Sequence, residues 1–147
     1  MTGAALVDTN ILVYRFDPRF PDKQARAAAA LRRGLRDDVV RVPHQAIVEF
    51  IAAVTRPRKP DGPLLSLPDA AREAEEIMMQ FPVLYPTAEV VRLALRGAAA
   101  YRLPWFDAHL WAYAEHFGLA ELWSEDFQHD RFYGTVRVVN PLLGSGS

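Results

Sequence analysis

The chain has 147 residues and a formal net charge of −1, and half of its residues are hydrophobic. That length suits one domain with a proper core, and that apolar content excludes a disordered chain. There is no cysteine, which excludes disulfides and thiolate metal sites, and no global basic field announces a nucleic-acid partner.

In chain order, Ala4-Ala5-Leu6-Val7 is a short apolar run that stops at Asp8-Thr9-Asn10, the pattern of a buried strand ending in polar residues. A short helix is expected over Ile11 to Phe16, ended by Asp17-Pro18. Asp22 is expected to cap a helix through the alanine-rich stretch to about Arg36. Val39 to Val42 is a second strand. From His44 to Thr55 the apolar residues Ile47, Phe50, Ile51 and Val54 follow helical spacing, and Arg56-Pro57 ends the helix. A proline-rich loop leads to a helix over Pro68 to Gln80, opened by Ser66 or by Pro68 and Asp69. Pro82 to Tyr85 is a short strand, and Thr87 caps a helix to about Tyr101. A helix from near Pro104 or Asp107 to Phe117 is closed by Gly118. Glu121 to Ser124 and Val136 to Val139 are the last strands. The end of the chain, 144–147, reads as a flexible tail behind one domain over 1–143.

Strands alternating with helices predict an α/β fold with a mainly parallel sheet. Ligands in such sheets bind at the carboxyl ends of the strands. Asp8 and Asp126 each sit where an apolar strand ends. Asp8 has two readings, a cap for the following helix or a carboxylate held at a site. Glu49 falls opposite the apolar stripe of its helix and reads as solvent-facing, although Gln45, Ala46, Ala52 and Ala53 leave room around it. Asp107 opens a helix that is apolar nearly all round and is expected to be buried. It answers that helix's dipole or points into a site. Ser124-Glu125-Asp126 is either a hydrophilic loop or a second acidic strand end, with Asp130 near enough to compete. If these acids converge, they repel one another unless a cation joins them, and magnesium or manganese suits carboxylate oxygen. His44, His109, His116 and His129 lack zinc-ligand spacing and read as ordinary loop or helix residues. Lys23 and Lys59 are the only lysines, so the basic residues are nearly all arginine, whose fork suits phosphate.

Leu6-Val7-Asp8-Thr9-Asn10, Val48-Glu49-Phe50, Trp105-Phe106-Asp107-Ala108 and Trp123-Ser124-Glu125-Asp126-Phe127 occur in this order across essentially the whole chain. The ordered set, closed by Val138-Val139-Asn140-Pro141, resembles a PIN domain of the VapC type, the toxin of VapBC toxin–antitoxin pairs. The resemblance implies a three-layer α/β/α sandwich and a homodimeric endoribonuclease, dependent on one or two Mg²⁺ or Mn²⁺ ions and silenced by an antitoxin. A cytoplasmic location is expected by default, since Met1 to Asp8 lack the basic and long apolar regions of a signal peptide and there is no cysteine. It places Asp8, Glu49, Asp107 and Asp126 on the acidic positions, Ser124 on the adjacent hydroxyl position, and Thr9 or Asn10 beside Asp8 to orient it. Pro104 departs from the pattern, which often has Ser or Thr three residues before the third acid.

Two rivals differ in class. An aspartate-nucleophile phosphatase usually wants a second acid two residues after the first, and here that residue is Asn10. A PIN-like module with a weak site would hold RNA or protein without cleaving. A carboxylate groove also invites an inhibitor's arginine near Asp8 and Asp107. The apolar segments Ala94–Tyr101 and Ala108–Phe117 predict a dimer. No apolar run reaches membrane-spanning length.

Overall fold

The computed structural model describes residues 3–144; the rest of the expected tail, 145–147, lies outside the described residues. Its elements in chain order are β1 (Ala5–Val7), α1 (Thr9–Tyr14), α2 (Pro21–Arg36), β2 (Val40–Pro43), α3 (His44–Val54), α4 (Leu67–Gln80), β3 (Val83–Leu84), α5 (Ala88–Tyr101), α6 (Trp105–His116), β4 (Glu121–Trp123), β5 (Phe132–Tyr133) and β6 (Val136–Val139). The strands form one sheet in the order β3-β2-β1-β4-β6-β5. Every pairing is parallel except that of β5 with β6. This is the mainly parallel α/β architecture expected from the sequence.

The strands alternate sides with a period of two. Ala5, Val7, Val40, Val42 and Trp123 pack into one core with residues of α1 to α4. Leu6, Leu122, Val136 and Val138 face a second core with α5 and α6. Helices therefore cover both faces, as a buried parallel sheet requires. In the second core α5 and α6 approach closely because Gly97 lacks a side chain. A Cβ there would lie 2.3 Å from Trp111 Cζ3.

Local chemistry explains most element ends. Thr87 caps α5 by accepting from the Val90 N–H at 3.2 Å, and Ser66 caps α4 through the Asp69 N–H at 3.2 Å. Gly118, at φ +69°, follows α6 in the left-handed region that favours glycine. Two expectations are corrected. Asp22 does not cap α2: the helix starts at Pro21, whose fixed φ suits a first helical position, and Asp22 instead pairs with Arg26 one turn on. The α6 helix is not buried throughout. Ala108 and Leu110–Ala114 are buried, but Trp105 and Phe106 are exposed in its first turn, ahead of the sheet contact. Strand β5 is an addition that the sequence reading did not include.

Candidate active site

Neighbouring strand ends build the crevice. Asp8 follows β1 and Ser124 follows β4, and the two strands stay in register to their ends, with the Asp8 N–H bonded to the Trp123 carbonyl at 2.9 Å. The Asp8 carboxylate is buried and uses both oxygens. Oδ1 accepts the Thr9 N–H at 2.6 Å, and Oδ2 accepts the hydroxyl of the fully buried Ser124 at 2.6 Å. Asp8 thus caps α1, as one of its two readings expected, and its carboxylate also lies on the floor of the crevice.

Glu49 does not face solvent. It is half-buried, because α3 packs against α1 and turns this side of the helix toward Thr9. The Thr9 hydroxyl donates to Glu49 Oε2 at 2.9 Å, and Gln45, one turn earlier, donates to Oε1 at 2.8 Å. Gln45 Oε1 lies 2.6 Å from His109 Nδ1. Because the Gln45 amide nitrogen serves Glu49, its oxygen must accept, so Nδ1 of His109 carries the proton. A chain of side chains therefore ties α1 to α3 to α6. Gln45 and His109 were not among the residues expected at the site. The four-residue spacing of Gln45 and Glu49 on one helix was a visible signal; the contact with His109, far along the chain, was not.

Asp126 is exposed at the rim. The Asn10 amide donates to its Oδ2 at 3.0 Å, and its own N–H donates to Ser124 Oγ at 3.1 Å. Asn10 therefore orients Asp126, and Thr9 and Ser124 serve Asp8. Asp8, Glu49 and Asp126 line one cavity of about 360 Å³. Asp107, half-buried in the first turn of α6 in the opposite layer, does not line that cavity, but its charge acts on Asp8 and those of Asp126 and Glu49 act on it. Pro104, the departure from the family pattern, is the N-cap of α6 and makes no side-chain cap bond.

Asp130 lies elsewhere. It pairs with Arg137, whose register partner Glu121 opens β4 at the amino edge of the sheet. Glu125 is held by other partners, accepting from the Tyr14 hydroxyl at 2.6 Å and from Lys23 at 2.9 Å. A larger cavity, about 780 Å³, sits at that amino edge between Arg33, Asp38, Arg41 and Glu121, and none of the four acids lines it.

The charges in the crevice act on one another. Burial, followed by the charges of Asp126 and Asp107, pushes the Asp8 carboxyl up to about 7, against the lowering effect of the Ser124 and Thr9 hydrogen bonds. Asp107 is raised by burial and then by Asp126 and Glu49, and Asp126 by burial and then by Glu125. Among the described residues, no cationic side chain bonds to Asp8, Glu49, Asp107 or Asp126. As the side chains stand, no three Asp, Glu or His groups among the described residues gather closely enough to hold an ion. The donor set still fits a hard cation, because Mg²⁺ keeps several waters and takes only one or two carboxylates directly. Asn10 Oδ1, buried without a hydrogen-bond partner, adds an oxygen acceptor beside the acids.

Comparisons with known proteins agree with this architecture. No curated protein matches the sequence. A toxin–antitoxin complex from Klebsiella pneumoniae superposes with a TM-score of 0.66 at 18% identity, covering 94% of this chain and 98% of that one. DNA-bound VapBC from Salmonella typhimurium gives 0.67 at 12% identity, with coverages of 94% and 97%. The sarcin–ricin loop cleaving toxin VapC20 of Mycobacterium tuberculosis gives 0.58 at 16% identity, with coverages of 84% and 90%. These likenesses share the fold. The PIN domain family itself matches residues 5–134, nearly the whole described chain, and the chain therefore belongs to the PIN-domain family.

Proposed function

We propose that the protein is the toxin of a type II toxin–antitoxin pair, a Mg²⁺- or Mn²⁺-dependent endoribonuclease that hydrolyses RNA phosphodiesters. The observation that carries this reading is the set of acids near one sheet edge, with no cationic side chain among the described residues bonded to any of the four and with Asp8 raised to about 7. A structural role alone gives no reason to gather like charges.

Asp8, Glu49, Asp107 and Asp126 would hold one or two ions, directly or through water. Such an ion activates water and offsets charge on the phosphate. The chain's own groups fix the geometry. The Ser124 hydroxyl and the Thr9 N–H lock both oxygens of Asp8. Thr9 and Gln45 lock both oxygens of Glu49, and Asn10 turns Asp126 inward. Such supporting contacts commonly matter 10- to 100-fold for a metal site. Arg58 lines the same cavity, and its Nη1 is buried without a partner, ready to bond a substrate phosphate oxygen. The expected products are 5′-phosphate and 3′-hydroxyl ends. The phosphatase rival has no support, because Asn10 stands where its second acid would be and bonds Asp126 instead.

The toxin assignment rests on the fold shared with the three toxin complexes and toxins above, and it brings an antitoxin as partner. Its inhibitory arginine would enter near Asp8 and Asp107. A homodimer is part of the same reading. Leu110–Ala114 are consumed in the chain's own core, which leaves Leu95, Ala99, Ala100 and Phe117 as the exposed apolar residues of the two expected segments. Among the described residues no helix is long and apolar enough to cross a membrane, and we place the protein in the cytoplasm.

The test is sequencing of RNA ends after induction of the wild type beside Asp8→Asn, with purified protein assayed in Mg²⁺, Mn²⁺ and EDTA. The wild type should generate new 5′-phosphate ends, and EDTA should abolish them. Asp8→Asn should cut about 10²- to 10³-fold more slowly, the range lost when a principal stabilising group is removed. Equal cleavage by Asp8→Asn, or cleavage unaffected by EDTA, would sink the assignment.

A further inference from the structure

Beside the acids runs a second groove of about 380 Å³, lined by Thr9, Glu49, Ala52, Ala53, Arg56 and Phe106. It shares Thr9 and Glu49 with the crevice and leads away from it along α3. Its volume lies in the range of small-ligand sites. Ala52 and Ala53 present only methyl groups, which keeps the groove wide. Phe106 forms the opposite wall with 69% of its surface exposed.

An exposed phenyl ring one residue before Asp107 loses free energy in water unless something covers it. Two features fix the backbone that carries this ring. Phe106 lies in the first turn of α6, and the Gln45 amide reaches across from α3 to its backbone carbonyl at 3.4 Å. That same amide holds Glu49. One side chain thus fixes the distance between the exposed ring and an acid of the site. At the far end of the groove, Arg56 stands just past α3, exposed, and makes no ion pair among the described residues.

We infer that Phe106 and Arg56 form a nucleotide subsite flanking the acid crevice, in which the Phe106 ring stacks on a splayed base of single-stranded RNA and Arg56 takes an adjoining phosphate. The inference rests on the ribonuclease reading above and deepens it. Single-stranded RNA suits the lining. Its unstacked bases pack on aromatic faces, and its phosphates suit a guanidinium. A continuous duplex has no free base face to offer Phe106. The anionic end of the groove matches the position where a cation and the scissile phosphate would meet, and the cationic end matches a neighbouring phosphate.

The experiment measures binding apart from cleavage. Full-length Asp8→Asn protein in EDTA is titrated into a fluorescein-labelled, mixed-sequence single-stranded RNA, and anisotropy is followed at several salt concentrations. Adding Phe106→Ala should weaken binding roughly 5- to 100-fold, the range seen when one stacking platform is removed. Phe106→Trp should restore it. Arg56→Ala should weaken binding and lower the slope of log affinity against log salt by about one phosphate's worth. Phe132→Ala removes an equally exposed ring on β5, two strands beyond β4, and should change nothing. Phe106 and Arg56 are exposed, so melting curves should show every variant folded. Binding within twofold of the parent for Phe106→Ala, or a loss that Phe106→Trp fails to restore, would overturn the subsite. If wild-type protein still cleaves RNA in that case, the ribonuclease reading survives and only the subsite falls. If the variants keep RNA binding but escape inhibition by a partner protein, the groove is a protein-docking surface and the inference is wrong. If the wild-type protein in Mg²⁺ or Mn²⁺ neither binds nor cleaves RNA, the ribonuclease reading falls and takes the subsite with it.

Discussion

The two ends of α1 carry buried aspartates in opposite states. Asp8, before the helix, and Asp17, just after it, are both less than 10% exposed. Asp17 faces Arg19, which bonds both of its oxygens at 2.9 and 2.8 Å, and its carboxyl is held below the usual range by that contact. Asp8 receives only a hydroxyl and a backbone N–H, looks toward two further acids, and is pushed up to about 7. At Asp17 the contact with Arg19 outweighs burial; at Asp8 burial is the largest cause of the rise, no cation offsets it, and the neighbouring acids add to it. An acid that the fold needs only for stability is given its cation within the chain. In the proposed reading, an acid left without one, among others of its kind, would take a cation from outside.

The contrast can be broken or sharpened by measurement, beginning with Asp8. Its folded pKa is raised, so between about pH 4 and 7 the folded protein keeps a proton that the unfolded chain has lost. The metal-free protein should therefore lose stability as pH rises through that window, by at most about 4 kcal/mol from this group. Asp8→Asn should flatten that part of the pH profile and melt higher than the wild type at pH 8 in EDTA. Denaturation curves at pH 5 and 8 decide it, and a variant less stable at both would contradict the account.

Asp17 should behave in the opposite sense. Its folded pKa is depressed, so its contribution is present above about pH 4 and is lost as acid protonates it. Solvent screens the half-exposed Arg19, so the effect is modest. Asp17→Asn should lower the melting midpoint by about 2–4 °C at pH 7, with the gap closing near pH 3. A midpoint unchanged at pH 7 would show that the pair does no structural work.

The smallest effect belongs to Asp130, whose ion pair with Arg137 lies on the surface. Asparagine tolerates its left-handed backbone at φ +65°. Asp130→Asn should shift the midpoint by no more than about 2 °C and leave RNA cleavage within about twofold. A large loss of cleavage would return Asp130 to the site in place of Asp126.

The fold was legible wherever local signals were dense. Leu6-Val7-Asp8 and Leu122-Trp123-Ser124 announce strand ends, and Thr87 and Ser66 announce helix starts. Strand β5 was not legible, because Phe132–Tyr133 is only two residues long and exists through its antiparallel pairing with β6. Glu49 shows the deeper limit. Helical periodicity gives a residue's angle to its own apolar stripe, and by that measure Glu49 points outward. It does not give the position of the next helix, and α1 with Thr9 lies on that side. The first turn of α6 misled for a related reason: apolar sequence predicts burial, but Trp105 and Phe106 extend past the sheet that would cover them.

The central claim, that the four acids form one cation site, is tested most directly by calorimetric titration of Mn²⁺ into metal-free protein at pH 6.5, in buffers of different ionisation enthalpy. Asp8 with a pKa near 7 is mostly protonated there, so metal binding should expel its proton. The account predicts saturable Mn²⁺ binding with proton release in the wild type, and loss of both in Asp8→Asn. No binding by the wild type, or equal binding and proton release in Asp8→Asn, would contradict it.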